Sequence, residues 1–231
     1  MSFNIAIDGP AGAGKSTVAR RAAGKLGFIY VDTGAMYRTI ALYMLRGQVN
    51  IDDEKELAAA LDRISVSLSY QDGVQHMFLN GEDVSSLIRT PEVSATASLT
   101  SAKAAVRAKL TDLQKDLAAR ENVLMDGRDI GTCILPDAQL KIFLTASVDE
   151  RARRRYLELK EKGEDCDLAA IREEIALRDY RDSHRESAPL KQAEDAVLLD
   201  TSDMDADEAV KRVVELAKER MRACGLADSR L

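Results

Sequence analysis

The sequence predicts an α/β fold with a mainly parallel, five-stranded sheet flanked by helices, and three observations lead there. Five short apolar runs, Phe3–Ile7, Phe28–Val31, Asn122–Met125, Leu140–Leu144 and Ala196–Leu199, have the length and continuity of strands covered on both faces. Helical patterns over Ser16–Leu26, Ala35–Arg46, Ala102–Arg120, Val148–Lys162, Leu168–His184 and Asp205–Ala223 separate most of them, as crossovers between parallel strands require. One stretch breaks that rhythm.

From Ile64 to Tyr70 apolar and polar residues alternate, Gln71–Gly73 supplies a turn, and Val74–Leu79 runs into Asn80–Gly81. This predicts an antiparallel hairpin, and so an inserted subdomain riding on the parallel core. With 231 residues, 45% of them hydrophobic, the chain can bury a sizeable core as one domain carrying an insertion. The formal net charge of −6 makes any anion site a local cluster of cations on a mildly acidic body, and disfavours nucleic acid or a membrane as partner. No basic leader or membrane-length apolar run follows Met1, so a cytoplasmic location is expected. Cys133, Cys166 and Cys224 lack paired spacing and read as reduced and structural.

The first strand-to-helix junction carries Gly9-Pro10-Ala11-Gly12-Ala13-Gly14-Lys15-Ser16-Thr17, which satisfies G-x-x-x-x-G-K-[ST] in its proper context. Glycines let the backbone turn its N–H groups inward on the phosphates of ATP, and the following helix adds its positive end. Lys15 is expected to neutralise the β- and γ-phosphates, and Ser16 to place its hydroxyl on Mg²⁺. The core is therefore expected to be of the P-loop NTPase type. Asp126 ends an apolar strand and has two readings: a carboxylate holding a water of the Mg²⁺ shell, or a helix-capping or turn aspartate.

The loop alone leaves GTPases, motor ATPases and small-molecule kinases open. Further along stand Asp32-Thr-Gly-Ala-Met-Tyr-Arg38, Asp126-Gly-Arg-Asp-Ile-Gly-Thr132 and Arg178-Asp-Tyr-Arg-Asp-Ser-His-Arg185. Gly81-Glu-Asp-Val-Ser, Arg89-Thr, Pro136-Asp-Ala, Lys141-Ile-Phe-Leu and Ala188-Pro189-Leu190 occur with them, in order. Over nearly its whole length the chain closely resembles the bacterial cytidylate kinases. That resemblance implies an ATP-dependent nucleoside monophosphate kinase that moves a γ-phosphoryl onto CMP or dCMP with Mg²⁺. It also implies a division into core (1–34, 105–150 and 168–231), an inserted NMP-binding subdomain (35–104) and a short lid (151–167). A monomer is expected.

The resemblance places Thr33, Arg38, Ser98, Arg107, Arg128, Asp129, Arg178, Asp182 and Arg185 at CMP, with Arg38, Arg128 and Arg185 on its phosphate and Arg178 and Asp182 on its sugar. Lys15, Arg128 and Arg185 are implied as the catalytic cations, and Ser16, with Asp126 in the first of its two readings, is the expected metal residue. Guanidinium forks suit phosphoryl oxygens, although Arg38 could equally be a solvated helix residue and Arg185 a cation near a helix end, where it favours the dipole. Ser98, Arg107 and Asp129 are implied at the base, which makes chemical sense. Cytosine offers an N4 donor to a carboxylate and an N3 acceptor to a guanidinium, whereas uracil reverses both. Arg178, Arg181 and Arg185 share one helical face, and Arg181 has no assigned role.

Arg151, Arg154 and Arg155 fall in the segment that resembles a mobile lid, where Glu150–Arg154 and Glu158–Lys162 are spaced as ordinary helical ion pairs. His76 and His184 are expected to be structural or solvated. Adenylate, uridylate and shikimate-type kinases share the loop and remain rivals on the acceptor side. A guanine-reading N-K-x-D sequence is missing, and with no Trp and four Phe the chain lacks the stacking residues of a nucleic-acid motor.

Overall fold

The computed structural model describes residues 2–226; Met1 and residues 227–231, the outer ends of the expected first and last core segments, lie outside them. Strands β1 (Asn4–Asp8), β2 (Ile29–Asp32), β6 (Val123–Gly127), β7 (Leu140–Thr145) and β8 (Val197–Asp200) form one parallel sheet in the order β2-β6-β1-β7-β8. Alternate side chains point to opposite faces, so the strands β1, β2 and β6 feed two cores. Ile5, Ile7, Leu124 and Ile142 pack beneath α1 (Lys15–Leu26) and α8 (Ala206–Ala223). Ala6, Val31, Val123 and Met125 face the layer built on α2 (Thr33–Arg46) and α5 (Ala104–Arg120).

Between β2 and β6 the chain also forms α3 (Glu54–Asp62), a three-stranded antiparallel sheet and α4 (Pro91–Thr100). The sheet holds β3 (Val66–Gln71), β4 (Val74–Leu79) and the short β5 (Glu82–Asp83). Asp72 and Gly73 both take positive φ at its first turn, the pairing that matches strand twist in a two-residue hairpin. Met77 and Leu79 anchor β4 in the α2 core. At the end of β2, the Gln75 carboxamide accepts from Asp32 N (2.8 Å) and donates to Asp32 O (3.2 Å), while Tyr70 Oη donates to Tyr30 O (3.0 Å).

After β7 come α6 (Val148–Glu161) and α7 (Leu168–His184), which pack on each other. Glu150–Arg154 and Glu158–Lys162 form the expected ion pairs. Four features go beyond the expected elements: α3, the third antiparallel strand β5, α4 and a single π-helical turn at Ile130–Ile134. Asp53 and Thr90 cap the two helices, and Pro91 pre-sets the first φ of α4.

Candidate active site

The carboxyl ends of β1, β2 and β6 meet at one edge of the sheet, where ligands of open α/β sheets bind. Gly9 leaves β1 with φ 149°, and a Cβ there would lie 1.9 Å from Leu144 O, so only glycine lets the loop turn beside β7. Gly14, at φ 86°, caps α1. Lys15 is buried and its Nζ donates to Pro10 O at 2.7 Å. Burial, with Arg128 next in weight, holds its pKa well below the lysine range, while Asp126 and Asp8 oppose the shift.

Ser16 Oγ donates to Asp126 Oδ2 at 2.8 Å, and Tyr30 Oη donates to Oδ1 at 3.0 Å. Burial, reinforced by Asp32, pushes the Asp126 carboxyl up to about 6. A buried carboxylate that is costly to ionise and touches a hydroxyl suits a hard cation completed by phosphate and water oxygens. Among the described residues no group of three or more His, Cys, Asp or Glu could hold a metal unaided.

A cleft of about 420 Å³ opens between this loop, α2, α4 and α7. The structure brings Thr33, Arg38, Ser98, Arg107, Arg128, Asp129, Arg178, Asp182 and Arg185 together on its walls, with Lys15, Ser16 and Asp126 lining it beside the glycine loop. Thr33 Oγ1 donates to Asp126 O (2.8 Å), tying the start of α2 to β6. Asp32 accepts from Ala35 N (2.8 Å) and from Arg38 (3.0 Å), so the residue that caps α2 also aims its first arginine. Arg128 Nε donates to Asp182 at 3.0 Å. Arg128 rather than Arg178, one turn away on the same helix, thus pairs with Asp182, and the Nε atoms of Arg178 and Arg38 are buried without a hydrogen bond. Burial, then Arg128, lowers the Arg178 pKa. Unpaired guanidinium nitrogens in a cleft await an anion.

At the inner end, Asp129 contacts Arg107 and accepts from Arg185 at 3.4 Å. Burial raises the Asp129 pKa, and Arg107, Arg185 and Arg128 oppose it. The Tyr37 ring lies 5.6 Å from the Arg107 guanidinium and steadies it further.

Sequence reasoning missed Asp8. Its two oxygens accept from Ile130 N (2.8 Å) and Gly131 N (2.7 Å), pinning the π-helical turn that follows Asp129. Desolvation raises its pKa to about 6, against the pull of those two backbone bonds. The local signal was one polar residue closing an apolar run. A second cavity, about 700 Å³, lies across the phosphate loop and is lined by Arg154, Thr201, Met204 and Asp205, of which only Arg154 was singled out from the sequence.

Arg154 donates to Thr201 O at 2.6 Å, and Arg155 pairs with Glu158 at 2.9 Å on the exposed face of α6. Arg151, in the same segment, is buried at 3% exposure, and its guanidinium donates to Ala11 O. Arg181 is exposed, His184 stacks on Tyr180 and His76 pairs with Asp83. The three cysteines are free. No described helix is long and apolar enough to cross a membrane.

Phosphate oxygens complement both halves of this site, the glycine loop at one end and the guanidinium wall at the other, which defines a P-loop kinase whose acceptor carries its own phosphate. The comparisons narrow the class. The cytidylate kinase family model matches residues 5–219, and the chain belongs to that family. It is 48% identical to the cytidylate kinase of Lactobacillus johnsonii across 95% of this chain and 96% of that one. With the cytidylate kinase of Shouchella clausii the identity is 50%, across 95% and 98%. A crystal structure of an uncharacterized protein from Eubacterium ventriosum shares the fold, with a TM-score of 0.53 at 14% identity over 95% of this chain and 99% of that one.

Proposed function

We propose that the protein transfers the γ-phosphoryl of ATP to CMP or dCMP, giving ADP and the pyrimidine diphosphate. The observation that carries this reading is Asp129, a buried carboxylate on the wall of the cleft, held between Arg107 and Arg185. It can accept from the N4 amino group of cytosine while a guanidinium serves N3; the uracil carbonyl at that place meets an acceptor instead, which favours cytosine by about 1–3 kcal/mol.

The phosphate loop, Gly9–Thr17, holds the donor phosphates, and the second cavity beside Arg154 and Thr201 takes the rest of ATP. Arg38, Arg128 and Arg185 grip the CMP phosphate, Arg178 and Asp182 its sugar, and Thr33 and Ser98 complete the wall. Phosphoryl transfer needs alignment and positive charge more than covalent help, and Lys15, Arg128 and Arg185 supply that charge. Ser16 and Asp126 would hold Mg²⁺, which neutralises the triphosphate when bound. In this reading residues 35–104 form the acceptor subdomain and residues 151–167, with Arg151, Arg154 and Arg155, the lid over ATP. Three free cysteines suit a reducing cytoplasm, where we expect a monomer.

A nucleotide panel tests the proposal. With Mg-ATP, CMP and dCMP are expected to turn over at least tenfold more efficiently than UMP, AMP or shikimate. Equal or faster turnover of AMP refutes it, and loss of CMP turnover with EDTA, restored by Mg²⁺, checks the metal.

A further inference from the structure

Arg151 opens the first turns of α6, yet its side chain turns inward and spends four of its five N–H groups on acceptors from three segments. Nε donates to Ala146 O at 2.9 Å, just past β7. One terminal nitrogen donates to Ala11 O and to Asp179 Oδ1, both at 3.0 Å, and the other to Asp179 Oδ2 at 2.6 Å. The fork on Asp179 is bidentate, the geometry that fixes a guanidinium most firmly.

Each end of this contact has a consequence. The Ala11–Gly12 peptide is trans, so its C=O and N–H point in opposite directions; a guanidinium that holds Ala11 O thereby sets where Gly12 offers its N–H. Gly12 lines both cavities. At the other end, Asp179 follows Arg178 and precedes Asp182 by three residues on α7, and those two line the acceptor cleft. One side chain therefore touches the peptide that presents a donor-side amide and the helix that presents the acceptor-side cation and carboxylate.

We propose that Arg151 and Asp179 form a positioning pair that couples the two halves of the site. ATP on the loop and CMP against α7 both favour the closed fork, so each nucleotide tightens the binding of the other by the same factor. Neither residue is a catalytic residue. The inference rests on the functional reading above, in which the loop takes ATP and the cleft takes CMP. An exposed ion pair would leave such coupling untouched, but Arg151 is 3% exposed and its partners are backbone carbonyls as well as a carboxylate.

Calorimetric titration of CMP, with and without saturating magnesium and a non-hydrolysable ATP analogue, measures the coupling. In the wild type the analogue is expected to tighten CMP at least about fivefold. In Arg151→Lys and Asp179→Asn the tightening falls below about twofold and kcat falls with it, while CMP affinity without the analogue changes by less than about threefold. Asp179→Glu, which keeps a carboxylate, recovers part of the coupling. Full coupling in Asp179→Asn overturns the proposal, as does a wild type that binds both nucleotides without coupling. A wild type that does not bind CMP overturns the functional reading and this proposal with it. Should Arg151→Lys not fold, Asp179→Asn decides the matter, since that side chain is 24% exposed and its loss opens no deep void.

Discussion

Replacing Asp8 by Asn changes one oxygen for one amino group, and the structure separates two effects of doing so. Asp8 is 5% exposed, and desolvation lifts its carboxyl from 3.8 to about 6 despite bonds from Ile130 N and Gly131 N. A carboxyl whose folded pKa lies above its unfolded value binds protons more tightly when folded, so stability is fully present below pH 3.8 and lost as pH rises through 6. Ionised Asp8 then costs the fold about 1.6 kcal/mol at pH 5 and about 3 kcal/mol at pH 8, a loss of ~1.4 kcal/mol between them. Asp8→Asn abolishes that slope. It also leaves one of the two N–H donors facing an amino group, a pH-independent penalty of about 1–3 kcal/mol. Urea unfolding should therefore show the variant less stable than wild type at pH 5, with the gap narrowing by ~1.4 kcal/mol at pH 8. Asp126 titrates in the same range in both proteins and cancels from the comparison. A gap that stays constant or widens over this interval refutes the reasoning.

Gly9→Ala sets a Cβ 1.9 Å from Leu144 O, so the loop must leave β7; soluble variant with unchanged ATP-analogue affinity contradicts this account of the loop. Arg178→Met removes a half-buried guanidinium whose buried Nε has no partner, so the free protein should melt no lower than wild type while KM for CMP rises about 10–100-fold; a lower melting temperature with unchanged KM is the contrary result. Asp129→Ala leaves Arg107 buried without its carboxylate, costing about 3–5 kcal/mol by denaturant unfolding, and the ratio of CMP to UMP efficiency should drop about tenfold. Unchanged selectivity in a folded Asp129→Ala protein removes that carboxylate from base recognition.

The parallel sheet was readable because each of its strands is an apolar run bounded by polar punctuation, and the hairpin because Asp72-Gly73 and Asn80-Gly81 carry the positive φ values its turns need. Helix α4 escaped because it is built of Ser, Thr and Ala with no marked apolar stripe, although it brings Ser98 to the cleft. Asp8 bonds to residues 122 and 123 positions away, and nothing local announces such partners. Arg151 stands in a row with Arg153, Arg154 and Arg155, yet two helical steps, about 200°, separate the buried strut from the exposed Arg153–Glu150 ion pair. The converging arginines were visible as motifs; that Arg128, rather than Arg178, would hold Asp182 depends on tertiary distance.

The contacts from the insert to β2 have a bearing on solubility. β2 lies at the margin of the five-stranded sheet, where unpaired backbone groups could recruit a strand from another molecule. Gln75 answers both the N–H and the C=O of Asp32 with one carboxamide, as a neighbouring strand would, and Tyr70 takes the carbonyl of Tyr30. The inserted hairpin thus also closes the margin of the core with two side chains, guarding the chain against edge-to-edge aggregation.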